Sequence, residues 1–157
     1  MTAASVDELI QELSHQDVPT RRAAARGLRR LAGEAGSAIP ALIRALDDSD
    51  SEVRSWAAAA LGWIGIPEPA AIARLGQMLS NVHEQDDVRG VASSALGRLG
   101  EAALPHLLEV AKGSDASGRQ WSIRALGEAG APASMILPTL INAMNDPDPN
   151  VREFARP

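Results

Sequence analysis

One phrase recurs along this chain and leaves it few folds to choose from. It reads Val53-Arg54 with Leu61-Gly62, Val88-Arg89 with Leu96-Gly97, and Gly118-Arg119 with Leu126-Gly127, the Leu always eight residues after the first position. A degenerate copy, Thr20-Arg21 with Leu28, precedes them, and a truncated one, Val151-Arg152 with Phe154 and Ala155, follows. The marker arginines Arg21, Arg54, Arg89, Arg119 and Arg152 succeed one another at 33, 35, 30 and 33 residues. A period of that length holds one helical hairpin. Such a hairpin cannot bury its apolar face alone, so successive copies must stack.

A second phrase precedes each copy: Leu9-Ile10-Leu13, Leu42-Ile43-Leu46, Leu75 with Leu79, Leu107-Leu108-Ala111 and Leu140-Ile141-Met144. Apolar positions at i, i+1 and i+4 form one helical stripe. Each unit therefore reads as helix A, a short acidic turn, helix B and a glycine-marked turn. The units span about 5–33, 37–66, 69–100, 101–130 and 134–157, all in one domain, with the last incomplete. Departures from 33 residues fall in the connections, including a long third A–B turn from Asn81 to Asp87. The composition agrees: the apolar residues are mostly Ala, Leu and Ile and only 3% of residues are aromatic, a balance that suits close-packed helices better than sheets.

Local chemistry marks the helix ends. Ser5 with Glu8 and Ser49 with Glu52 have capping-box spacing, and Asp17, Asp115 and Asp148 precede helix starts whose free N–H groups need acceptors. Gly65, Gly100 and Gly130 close the B helices, and Pro149 suits a first helical position, where a missing N–H does no harm.

The run from Asp50-Ser51-Glu52-Val53-Arg54 through Ala59-Ala60-Leu61-Gly62 resembles the short bacterial HEAT-like repeats of the phycobilisome-lyase type, whose motif reads Asp, Val-Arg, Ala-Ala, Ala-Leu-Gly. The resemblance covers nearly the whole chain. The first copy departs, with Thr20 for Val and Arg29 for Gly. It implies an all-α, right-handed α–α superhelix of about four and a half hairpins, with the B helices lining the concave side.

Residues repeated in every unit are expected to serve the frame. Asp17 and Arg21, Asp50 and Arg54, Arg89, Asp115 and Arg119, and Asp148 and Arg152 form a structural ladder that holds turn geometry and joins neighbouring units, since a catalytic site would occur once. Gly62, Gly97 and Gly127 lie inside B helices, where glycine costs about 1 kcal/mol relative to alanine, so a close approach of an adjacent helix is expected there. Trp56, Trp121 and Phe154 share the slot three after the Val position and are expected to fill space between A and B helices.

The chemistry of catalysis is missing from this pattern. Without cysteine there is no disulfide, thiolate zinc site or cysteine nucleophile. His15 and His83 fall in A–B turns two units apart, about 20 Å at a helix spacing near 10 Å, too far to share one metal ion. No phosphate-cradling glycine loop, serine elbow or pair of carboxylates in an apolar setting occurs. We expect no enzyme activity, no metal and no cofactor.

A binding face is what the register offers. Trp63 stands two after Leu61, where the other units place Arg30, Arg98 and Glu128; one turn earlier the row reads Arg26, Ala59, Ser94 and Arg124. A groove anchored on Trp63, with Arg26, Arg29, Arg30, Arg98 and Arg124 around it, suits a partner protein or acidic peptide. The resemblance also admits a bilin lyase subunit, with Trp63 against a pyrrole ring and arginines on its propionates, in which case a bilin would be the bound group. A third reading is a structural segment of a larger solenoid. Net charge of -5 and an arginine cluster without lysines or interleaved aromatics disfavour nucleic acid. The segment Met1 to Gln16 has no basic leader or apolar core and no apolar run reaches membrane-spanning length, so a cytoplasmic protein without membrane contact is expected. The fifth unit stops a turn or two into its B helix without a polar cap, which points to self-association at that end or to a longer solenoid.

Overall fold

The computed structural model describes residues 4–156, and among them there is no strand. Ten α-helices alternate as A and B members of five hairpins. They are α1 (Val6–Glu12) and α2 (Val18–Arg30), α3 (Ile39–Ala45) and α4 (Ser51–Ile64), α5 (Pro69–Ser80) and α6 (Asp86–Leu99), α7 (Leu104–Val110) and α8 (Ala116–Glu128), and α9 (Ala133–Met144) and α10 (Pro149–Phe154). The fold is an all-α repeat solenoid. Short 3-10 turns at Ala32–Glu34, Gly36–Ala38 and Gly100–Ala103 join some of the hairpins, and the last runs straight into α7, which is how that connection becomes short.

Helix ends follow their chemistry. Ser5 and Glu8 form a reciprocal capping box on α1. Asp17, Asp50, Asp115 and Asp148 each accept backbone N–H groups at the start of a B helix. The Ser49–Glu52 spacing makes no box: Asp50 caps α4 through the Val53 amide, and Glu52 turns instead to Arg22 at 2.9 Å. A carboxylate is the stronger acceptor, and the chain uses it. Gly65, Gly100 and Gly130 all have positive φ (70°, 70° and 67°), which glycine adopts without strain where the chain leaves a B helix; Gly65 is in the left-handed helical conformation, whereas Gly100 combines that φ with ψ −144°. The third A–B turn closes at Gln85, because Asp86 and Asp87 enter the first turn of α6.

The core is a column of leucines and alanines. Leu28, Leu42, Leu75, Leu79, Leu96, Leu107 and Leu126, with Val53, Val88 and Val151, are fully buried, one or more from each hairpin. Alanine and glycine let the B helices approach one another. A Cβ on Gly62 would lie 2.7 Å from Ala95 Cα, and one on Gly97 would lie 2.9 Å from Glu128 Cβ. Gly127 differs, with nothing within 4 Å of its Cβ position. Successive B helices from α2 to α8 are in extensive contact, whereas A helices touch their counterparts sparingly. The B helices thus pack side by side and form one continuous face of the solenoid. On α9, Met135, Leu137, Ile141 and Met144 are about half exposed. No helix among the described residues is long and apolar enough to cross a membrane.

Candidate functional site

Two sets of arginines separate in the structure. Those of the ladder run along the A–B turn edge, and each is hydrogen-bonded to the turns it joins. Arg21 forks onto Asp48 of the next hairpin at 2.7 and 3.0 Å, while its other terminal nitrogen donates to the His15 and Gln16 carbonyls of its own turn. Arg54 repeats the arrangement on Glu84 at 2.7 and 2.6 Å with the Asp48 and Ser49 carbonyls, and Arg119 on Asp146 at 2.7 and 2.8 Å with Gly113 and Ser114. Arg152 holds the Asp146 and Pro147 carbonyls. Each of these guanidiniums thus satisfies turn carbonyls that have no helical partner, and the forked ones also clamp the next unit.

Arg89 is the variant. Position 113, where the pattern would place the accepting carboxylate, is glycine, so Arg89 reaches the capping carboxylate of Asp115 itself, and its Nε donates to the Leu79 carbonyl at 2.9 Å. The accepting residues Asp48, Glu84 and Asp146 were not foreseen as ladder members. Arg22 adds a further fork, on Asp50 at 2.9 and 2.6 Å. That hydrogen-bonded guanidinium outweighs burial and, with the Val53 amide, lowers the Asp50 carboxyl to a pKa of about 2. Arg54 and Arg119 likewise hold Glu84 and Asp146 below the ordinary carboxylate range, and at Asp48 the Arg21 and Asp50 hydrogen bonds together override a strong burial effect.

The second set lies on the face formed by the B helices. Trp63, in the last turn of α4, is 49% exposed. The Arg98 guanidinium of α6 stacks over its ring at 3.9 Å, and Arg29 of α2 stands 5.5 Å from the same ring and 5.6 Å from that of Trp56. Neither Arg29 nor Arg98 forms an ion pair with any described residue. Across α6, Trp121 of α8 lies against Gly90, where a Cβ would come within 3.1 Å of its ring. Its Nε1 donates to Asp86 at 3.0 Å, and Arg124 stands 5.6 Å from its centroid while pairing along the helix with Glu128 at 3.1 Å.

Together α2, α4, α6 and α8 enclose a trough of about 530 Å³, floored by Ala59, Gly90, Val91 and Ser94 and walled by Trp56 and Trp63 on one side and Trp121 on the other. Of the residues the register nominated, Trp63, Arg29, Arg98 and Arg124 line this trough; Arg26 and Arg30 are exposed on α2 outside it. Trp56 and Trp121 correct an expectation. They are half-buried and pack against the core, but on the trough side, where Trp121 lies on Gly90 of the neighbouring B helix, and not between an A and a B helix. Phe154, 41% exposed, continues the aromatic row at 6.4 Å from Trp121.

His15 accepts the Asp17 amide through Nδ1, and His83 lies on the exposed third A–B turn. Among the described residues no group of three or more His, Asp or Glu side chains is placed to hold a metal ion.

A family model of HEAT repeats matches residues 6–97 and 104–155. The chain belongs to the HEAT-repeat family. Within this HEAT-repeat protein, residues 88–113 also match the PBS lyase HEAT-like repeat. No curated protein matches the chain. Among solved structures, an engineered protein is 26% identical with a TM-score of 0.62, covering 97% of this chain and 78% of that one. The complex of CpcE and CpcF of phycocyanin lyase from Nostoc sp. PCC7120 is similar over 99% of this chain and 64% of its own, at 24% identity and a TM-score of 0.74. A designed armadillo repeat protein in complex with the peptide (KR)4 is similar over 97% and 79% of the two chains, at 20% identity and a TM-score of 0.61.

Proposed function

We propose that this HEAT-repeat chain is a non-catalytic scaffold that takes an acidic segment of a partner protein on the concave face of its B helices. The observation that carries this reading is the division among its arginines. Every ladder guanidinium is engaged, whereas Arg29 and Arg98 stand free of carboxylates and are held in place by the faces of Trp56 and Trp63. A guanidinium stacked on a ring keeps its in-plane N–H donors available for bidentate contact with a carboxylate. It also loses less conformational freedom on binding than a free side chain would. The designed armadillo protein binds a basic peptide; a trough furnished with arginines calls for the opposite charge.

All three tryptophans of the chain line this trough and there is no tyrosine, so intrinsic fluorescence reports on it alone. Titration with oligoglutamate should change tryptophan emission saturably, with an affinity that falls as salt rises. Oligolysine should leave it unchanged, and the paired substitution Arg29→Ala with Arg98→Ala should abolish the response. Oligoglutamate binding that survives both substitutions would overturn the assignment of the face.

One observation favours a second reading. The trough gathers more aromatic surface than an overall 3% aromatic content leads one to expect, and with two free arginines it could hold the pyrroles and propionates of a linear tetrapyrrole. Adding a bilin and recording its visible band tests this: a shifted, intensified band supports it, and an unchanged spectrum removes it.

A further inference from the structure

We infer that the trough recognises an extended segment in which one bulky apolar side chain is flanked, about three residues away on each side, by carboxylates; this rests on the acidic-segment reading above. The middle of the trough lies over α6, which presents the half-buried Gly90, Val91 and Ser94 there between the exposed Asp87 and Arg98, while the neighbouring helices raise indole rings on both sides. Between Asp87 and Arg98 this stretch of small side chains flanked by aromatic walls carries no charge of its own, and with Asp87 at one end it suits an apolar side chain better than a carboxylate.

Charge sits on the walls. Arg29 and Arg98 gather at Trp63 on the α4 side, and Arg124 stands at Trp121 on the α8 side, where a partner carboxylate would take the place of its exposed in-helix pair with Glu128. The acids Asp86 and Asp87 lie at the N-terminal end of α6, and Asp86 is occupied by the Trp121 indole and the Ser117 hydroxyl. An acidic strand therefore crosses the B helices nearer their C-terminal halves, the end at which Arg98 stands. Packed helices lie about 8–10 Å apart, and an extended chain in the polyproline II conformation advances about 3.1 Å per residue with three residues per turn, so that side chains three residues apart point the same way. One helix spacing is then about three residues. A partner that lay in the trough as an α-helix, rising about 1.5 Å per residue, would need six or seven.

Labelled peptides in a glycine–serine background test the spacing by fluorescence anisotropy against the full chain. The lead peptide carries a central phenylalanine with a glutamate three residues to either side. It should bind about tenfold more tightly than the same composition with both glutamates adjacent to the phenylalanine, and than the version with alanine at the centre. Ser94→Leu, which fills the floor and leaves every arginine in place, should erase the preference for phenylalanine while oligoglutamate still binds; circular dichroism checks that this variant folds. Equal affinity for all three peptides, lost together on Arg98→Ala, overturns the spacing inference and leaves the acidic-segment reading standing. Tighter binding by a peptide with glutamates six or seven residues from the phenylalanine also overturns it, in favour of a helical partner. Failure of every peptide and of oligoglutamate to bind overturns both.

Discussion

Replacing Gly62 with alanine sets two effects of opposite sign against each other. Alanine is the better helix former by about 1 kcal/mol, which alone would stabilise α4. At this position, however, the new methyl would lie 2.7 Å from Ala95 Cα and 2.9 Å from Ala95 Cβ, and the obstacle is a main chain and not the end of a flexible side chain. Helices α4 and α6 must separate along part of their length, and overpacking of that kind costs about 1–3 kcal/mol. With the backbone as the obstacle the upper half of that range applies, giving a net loss of about 1–2 kcal/mol. Gly127→Ala is the control. It lies in the same slot of α8 with nothing within 4 Å, so it should show the helix-propensity gain of about 1 kcal/mol undiminished. For a chain of this size each kcal/mol moves the midpoint by about 2–4 °C. The two variants should therefore melt on opposite sides of the parent, about 4–12 °C apart, in thermal scans followed by circular dichroism. A Gly62→Ala variant that melts at or above the parent would refute the explanation of the glycine row as a close-packing device.

Arg54→Ala removes two hydrogen bonds to turn carbonyls and the fork on Glu84, and should cost about 2–4 kcal/mol in urea denaturation; Arg54→Lys should recover less than half, since an ammonium cannot make the fork. The lowered carboxyls set a pH window. A depressed folded-state pKa contributes stability that is present above the unfolded value near 4 and is lost as pH falls toward the folded value, about 2 at Asp50. With Glu84 and Asp146 shifted in the same direction, the melting temperature should be flat from neutral pH to about pH 5 and fall steeply from about pH 4 downward; a midpoint unchanged across that lower range would contradict the ladder's role. Arg98→Ala should separate function from stability. It forfeits an exposed stacking contact worth about 0.5–1 kcal/mol yet should eliminate most of the oligoglutamate response.

The frame was legible in sequence because its signals are local. Asp17, Asp50, Asp115 and Asp148 cap residues three or fewer positions away, and Gly65, Gly100 and Gly130 turn the chain at their own positions. The fork acceptors were not legible, because each pairs across two hairpins and depends on turn length: Arg21 and Arg119 reach 27 residues ahead, whereas the longer third turn puts Glu84 at 30 from Arg54. Gly127 repeats the spacing of Gly62 without its neighbour, so the shared slot did not carry the shared reason. At the candidate site, register alone brought Trp63 beside Arg98. It could not tell which way the side chains of Trp56 and Trp121 leave their helices, since a recurring aromatic slot fits an inner seam as well as an outer face. Nor could it separate Arg29, which turns onto the tryptophans, from Arg30 and Arg26, which point to solvent.

The central claim, that the Trp–Arg trough and not another face is the binding surface, is tested most directly by NMR on the isotope-labelled chain titrated with oligoglutamate. The three indole Nε1 resonances and the Arg Nε signals resolve the faces of the solenoid individually. The account predicts that Trp56, Trp63, Arg29 and Arg98 shift together and saturate at one ligand concentration, with Arg44 and Arg74 on the A helices unmoved. Saturable shifts confined to Arg44, Arg74 or the ladder edge, with the indoles silent, would contradict it.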